Sequence, residues 1–199
     1  MSASTSPPDP AAAPDPTPSR DAPVVAAVLV ALIRAQGPTR MVLTRRRSDL
    51  RSHAGEISFP GGRRDESDAD LAETALREAE EEIGLPRAGV EMLGTLPVTP
   101  TFVTNYMIHP FVATIPSGLT WALSPREVDE VLELEVKEVR AAKTLTTLTR
   151  RGFTFETDAY ILGEHMIWGA TARIVEHLLE RLQDEPGEPL RLAEAAESG

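Results

Sequence analysis

From Val24 to Ile33 the chain is an apolar, β-branched run, VVAAVLVALI, which predicts a buried strand. Gly37-Pro38 reads as a turn, and Arg40–Thr44 as the strand that pairs back. Glu56–Phe59 is short and extended, because Pro60 disfavours helix at the residue before it. The period then changes. Leu71, Ala75, Ala79 and Ile83 recur about once per turn and predict a helix over Leu71–Ile83. Asp70 with Glu73 forms a capping box at its start, and Gly84 is the stop. Val90–Val98, Met107–Ile115 and Phe153–Tyr160 read as further strands. Ile167–Leu182 reads as a second amphipathic helix, with Ile167, Ala170, Ile174, Leu178 and Leu182 on one face. Strands mixed with two helices predict an α/β fold in which a sheet is covered on both faces.

The ends lack this periodicity. Residues 1–22 are Ala, Pro, Ser, Thr and Asp, with proline at 7, 8, 10, 14, 16 and 18, and are expected to be a disordered tail. The folded unit is expected over 23–182, followed by a flexible acidic tail over 183–199. No repeat of 20–50 residues is present. With 199 residues and 41% hydrophobic content, a single domain has room for a core. The net charge of −11 provides no basic field for nucleic acid or an acidic membrane. The apolar run Ala22–Ile33, broken by Pro23, is too short to span a bilayer, and Asp9, Asp15, Arg20 and Asp21 precede it where a signal peptide would be basic. A soluble cytoplasmic protein is therefore expected. The absence of cysteine excludes thiol nucleophiles, disulfides and Cys-ligated metal.

Candidate chemistry concentrates in Arg77–Leu85, REAEEEIGL. Glu78, Glu81 and Glu82 lie at i, i+3 and i+4, on one helix face. Like charges at that spacing cost about 0.2–0.5 kcal/mol per pair. They also sit in the last turns, where the helix dipole disfavours each anion by about 0.3–1 kcal/mol. Two readings fit: a solvated acidic face, or a cluster compensated by a divalent cation. Carboxylates are hard oxygen ligands suited to Mg²⁺ or Mn²⁺, and a crowded carboxylate has a raised pKa that could serve a general base.

The preceding segment favours the second reading. Phe59-Pro60-Gly61-Gly62 is extended and then enters a tight Gly-Gly turn, where the backbone can approach a ligand closely. Arg45, Arg46, Arg47, Arg51, Arg63 and Arg64 cluster around it, and guanidinium forks bind phosphate oxygens. Cation site, phosphate clamps and glycine turn together point to metal-assisted hydrolysis of a phosphoanhydride. Arg46 and Arg51 equally suit ordinary surface arginines or partners of the acidic helix.

Gly62–Leu85 resembles the Nudix box, G-x5-E-x7-R-E-U-x-E-E-x-G-U with U apolar. Arg77, Glu78, Ala79, Glu81, Glu82, Gly84 and Leu85 match it. In its first half Asp68 stands where the box has Glu, and eight residues rather than seven separate it from Arg77. Val42–Gly62 resembles the signature of coenzyme A pyrophosphatases, L-L-T-x-R-(S/A)-x3-R-x3-G-x3-F-P-G-G. Leu43, Thr44, Arg46, Arg51, Gly55, Phe59, Pro60, Gly61 and Gly62 match, whereas Val42 and Arg47 differ. The resemblance implies a Nudix α/β/α sandwich with a mixed sheet and a loop–helix–loop metal site. It implies hydrolysis of coenzyme A to 4′-phosphopantetheine and adenosine 3′,5′-bisphosphate with Mg²⁺ or Mn²⁺. Glu78, Glu81 and Glu82 would be the catalytic and metal-binding carboxylates, Arg77 would orient them, and Arg46, Arg51, Gly61 and Gly62 would meet substrate. Which glutamate is the base does not carry over.

Other residues weigh less. No H-E-x-x-H pair is present, so a zinc hydrolase is not expected. His53 reads as a loop residue, His109 as structural, and Trp168 as packing the second helix onto the sheet. Glu127, in SPREVDEVLEL, is either a general base outside the box or a plain surface carboxylate. Asn105 and Tyr106 are candidates for the cleft wall. The partner is expected to be a small diphosphate; the sequence leaves the oligomeric state open, a homodimer included. Two rival functions remain: hydrolysis of another diphosphate such as ADP-ribose or NADH, and a non-catalytic Nudix-fold module that binds a nucleotide.

Overall fold

The computed structural model describes residues 22–33, 37–49, 55–101, 104–150, 153–184 and 189–193. Its centre is a mixed sheet. Strand β1 (Val24–Ile33) is apolar throughout because it is covered on both sides. It runs parallel to β7 (Tyr106–Ile115) in register from Val24↔Tyr106 to Ile33↔Ile115. On the other side, β2 (Arg40–Arg46) pairs antiparallel with the end of β1, and with β3 (Ile57–Ser58) and β8 (Val128–Glu135). Strands β5 (Glu91–Thr95) and β6 (Thr99–Pro100) lie antiparallel along β7. Strand β4 (Gly61–Arg63) lies antiparallel to β1, with Ala27 opposite Gly62. The Gly-Gly segment, read from sequence as a tight turn, is thus a strand. Its glycines are needed for close approach: a Cβ on Gly61 would stand 2.3 Å from the Ala27 carbonyl oxygen.

Side chains of β1 alternate between two cores. Ala27, Leu29, Ala31 and Ile33 face α1 (Leu71–Ile83), meeting Ala75, Ala79 and Ile83. Val28, Val30 and Leu32 face α3 (Gly169–Arg181), meeting Ile174, Val175 and Leu178. Helices on opposite faces of a mixed sheet make the α/β/α sandwich. Helix α1 has the bounds its sequence predicts; of the expected capping box the Asp70 arm forms, while the Glu73 carboxylate goes to Arg87. Asp70 caps it, with Oδ1 accepting from the Glu73 amide at 2.8 Å. Gly84 ends it at φ 68°, its amide donating to the Glu80 carbonyl. The Glu73 carboxylate is held by Arg87 at 2.5 Å.

A second sheet is a meander of β9 (Lys143–Arg150), β10 (Phe153–Leu162) and β11 (His165–Trp168). Ile167, assigned from periodicity to the second helix, is in β11; Trp168 is the residue before α3. Its apolar spacing held because the strand and the helix feed one core, where Ile167 and Tyr160 are buried. Helix α2 (Val136–Ala141) links the two sheets. Past α3, β12 (Leu182–Gln183) pairs with β13 (Arg191–Leu192), and Leu190 is buried. Among the described residues no helix is long and apolar enough to cross a membrane.

Candidate active site

The last turns of α1 carry the acidic cluster to the edge where β4 crosses β1. Gly61 and Gly62 seat two of its carboxylates. The Gly61 amide donates to Glu82 Oε2 at 3.2 Å. The Glu78 carboxyl fills the place of a side chain on Gly62: a Cβ there would stand 2.4 Å from Glu78 Oε1. Glu82 is 6% exposed. Burial pushes its carboxyl up to about 8; the charges of Glu78 and Glu127 push the same way, and the Gly61 amide and Arg46 oppose them. Burial also raises Glu78, opposed chiefly by Arg77.

Arg77 holds the cluster from the other side. Its guanidinium forks the Asp68 carboxylate at 2.9 and 3.1 Å. It reaches Glu78 at 3.0 Å, Glu81 at 3.2 Å and the Arg63 carbonyl at 3.2 Å. Asp68 is buried and accepts from Thr74 Oγ1 at 2.8 Å and the Asp65 amide at 2.9 Å. These donors, Arg77 first, hold its carboxyl well below the usual carboxylate range. Asp68 is thus the anchor of Arg77, a role that sequence reasoning missed. The signal was its place: an acid where the box has Glu, one residue further from Arg77.

The arginines divide. Arg45 pairs with Glu130 at 2.9 Å. Arg47 forks Asp49 at 2.9 and 2.7 Å and donates to the Pro125 carbonyl at 2.8 Å. Arg63 donates to Tyr106 Oη at 2.6 Å, its guanidinium carbon 5.2 Å from the ring centre. Among the described arginines of this group, Arg46 stands by the carboxylates. It lies 3.9 Å from Glu127, its charge opposes the upward shift of Glu82, and its buried Nε makes no hydrogen bond among the described residues. Arg51 and His53 lie outside the described residues. Glu127, remote in sequence, is brought to Arg46. Asn105, at φ 55°, turns the chain into β7, its carbonyl accepting from the Val24 amide. His109 is a half-buried residue of β7.

Glu78 and Glu82, one helical turn apart and the second buried, fit a divalent cation, which would relieve both repulsion and desolvation. Mg²⁺ keeps several waters, so a partial set of protein oxygens suffices. Among the described residues no three carboxylate or imidazole groups are already gathered into an ion cage, and the Glu81 carboxylate rests on Arg77.

The NUDIX domain model matches residues 23–155. The chain belongs to the Nudix family. It is 39% identical over 161 residues to the uncharacterised Nudix hydrolase NudL of Photorhabdus laumondii, covering 79% of this chain and 84% of that one. It is 36% identical over 163 residues to NudL of Escherichia coli, covering 81% and 84%. Among solved structures, a MutT/nudix family protein from Enterococcus faecalis superposes with a TM-score of 0.52 at 16% identity, over 86% of this chain and 68% of that one. The Nudix hydrolase RenU from M. smegmatis gives 0.51 at 23% identity, over 59% and 74%. Both show the fold. This Nudix hydrolase keeps the family's acidic helix on a strand–loop–helix support, with Asp68 completing the loop.

Proposed function

We propose that this protein hydrolyses the diphosphate bond of coenzyme A or an acyl-CoA, releasing 4′-phosphopantetheine and adenosine 3′,5′-bisphosphate. The observation that carries this reading is the joint between two signatures. Gly61 and Gly62 end the segment resembling coenzyme A pyrophosphatases, and they seat Glu82 and Glu78 of the box. Arg47, the departure from that signature, is engaged by Asp49 and Pro125. It does not argue for a different substrate.

Glu78, Glu81 and Glu82 would hold Mg²⁺ or Mn²⁺, with Arg77 orienting Glu78 and Glu81. When bound, the cation supplies charge neutralisation at the diphosphate and a lower pKa for water. Arg46 binds a phosphate oxygen and stabilises the charge that develops there. Water attacks one phosphorus, forming a new P–O bond. The anhydride P–O bond breaks, and the bridging oxygen leaves with its electron pair as a phosphate oxygen of the second product. Glu127, outside the helix and 3.9 Å from Arg46, takes the proton from water.

Separate incubations with coenzyme A, ADP-ribose, NADH and a nucleoside triphosphate, each with Mg²⁺ or Mn²⁺, test the reading by product mass. The two coenzyme A products, formed well faster than any other, support it. Faster cleavage of another diphosphate discards coenzyme A and keeps the mechanism. Ligand-induced stabilisation with no product identifies a binding module. Glu82→Gln is expected to lose at least about 10²-fold in kcat with the fold intact. Wild-type turnover by that variant sinks the metal-site assignment.

A further inference from the structure

Residues 122–128 cross the C-terminal end of α1 as a strap and carry Glu127 to the site. The first half of the strap hangs on the helix. The amides of Ala122 and Ser124 donate to the carbonyls of Ile83 and Glu82 at 3.0 and 2.8 Å. These carbonyls are among those a helix end leaves unpaired. Gly84 gives the strap room, since a Cβ there would stand 2.7 Å from Ala122 Cβ.

The second half is held from the end of β2. The β2–β8 ladder shifts register between Arg45 and Arg46, so that Arg45 opposes Glu130 and Arg46 opposes Val128. Asp129 is the extra residue, and its carboxylate accepts from the Ser48 amide at 3.3 Å. One step on, the Arg47 amide donates to the Glu127 carbonyl at 3.0 Å. The Arg47 side chain adds a clamp: two nitrogens fork Asp49 at 2.9 and 2.7 Å, and the third reaches the Pro125 carbonyl at 2.8 Å. Asp49 neutralises the guanidinium and fixes its plane. The charge of Arg47 is therefore balanced by Asp49 while its third nitrogen holds the strap, and its neighbour Arg46 faces Glu127.

We propose that Arg47 is a positioning residue: clamped between Asp49 and the Pro125 carbonyl, it fixes the strap so that Glu127 stands beside Arg46 where the strap crosses the end of α1. This rests on the reading that Glu127 accepts the proton from water.

A double-mutant cycle on the full chain tests it, using the diphosphate that the wild-type protein turns over fastest, with Mg²⁺. Arg47→Ala is expected to lower kcat about tenfold, since displacing a catalytic group by a fraction of an ångström has this scale of effect. KM should stay within about twofold. Arg47→Lys should restore little, because an ammonium cannot fork Asp49 and reach Pro125 together. In a Glu127→Gln background, Arg47→Ala should have no further effect. Full additivity of the two substitutions, an effect on KM alone, or wild-type kcat in Arg47→Ala would each overturn the proposal while leaving the role of Glu127 standing. Wild-type turnover by Glu127→Gln, with Glu82→Gln inactive, would instead remove the role of Glu127 and the proposal with it.

Discussion

Two glycines and two glutamates settle the geometry at the residue scale. Gly62 has no side chain because the Glu78 carboxyl occupies that place. Gly62→Ala must push Glu78 aside, and turnover is expected to fall by about 10²-fold with KM changed less, as measured by steady-state kinetics. Glu82 makes a second prediction through its titration. Its folded carboxyl is raised from 4.5 to about 8. The native state therefore holds a proton that the unfolded chain releases between these values. Stability of the metal-free protein should fall as pH rises from about 4.5 through about 8. Thermal melts across that window should show a steeper decline for wild type than for Glu82→Gln. The glutamates themselves were legible, because helical spacing places i, i+3 and i+4 together whatever the rest of the chain does. Asp68 was not, because its fork with Arg77 is set by the path of the 64–70 loop.

At the scale of elements, α1 depends on its caps and on that fork. Asp70 satisfies one of the amides a helix start leaves open. Asp70→Ala should cost about 1 kcal/mol in urea unfolding. Arg77→Ala leaves the Asp68 carboxylate with Thr74 Oγ1 and the Asp65 amide but without its guanidinium, and should lower stability in urea unfolding. Turnover should drop as well, since Glu78 and Glu81 lose the same guanidinium. Both caps could be read from the chain, since capping is local chemistry between neighbours. Strands β8 and β9 were harder. VDEVLELE has Glu at 130, 133 and 135 and KTLTTLTR has Thr at 144, 146, 147 and 149, so neither keeps a period of two, and their pairing is supplied by β2 and β10. Glu133 and Glu130 of β8 are matched by Arg40 and Arg45 of β2, so its acidity is a property of the pair.

For the whole molecule, β1 divides two cores, and the candidate site lies at the end of the helix that covers one of them. Helix α1 is fastened to the sheet by Ala75, Ala79 and Ile83, so its polar edge is rigid at the point where β4 crosses β1. A rigid cluster of carboxylates binds a cation without having to be ordered first. Mg²⁺ or Mn²⁺ is therefore expected to raise the melting temperature, the rise growing with metal concentration and lost in Glu82→Gln. A rise unchanged in that variant would place the metal elsewhere.

The central buried strand, the capped helix, its three aligned carboxylates and the Nudix resemblance were determined by the sequence alone. Each depends on neighbours within a turn or two, or on a motif contiguous along the chain. Tertiary structure alone decided that Gly61 and Gly62 form a strand under Glu82 and Glu78, that Asp68 anchors Arg77, and that the 122–128 strap meets the end of α1. Those contacts join segments 9 to 42 residues apart, and packing of β4, α1 and the 122–128 strap on one sheet edge sets their distances.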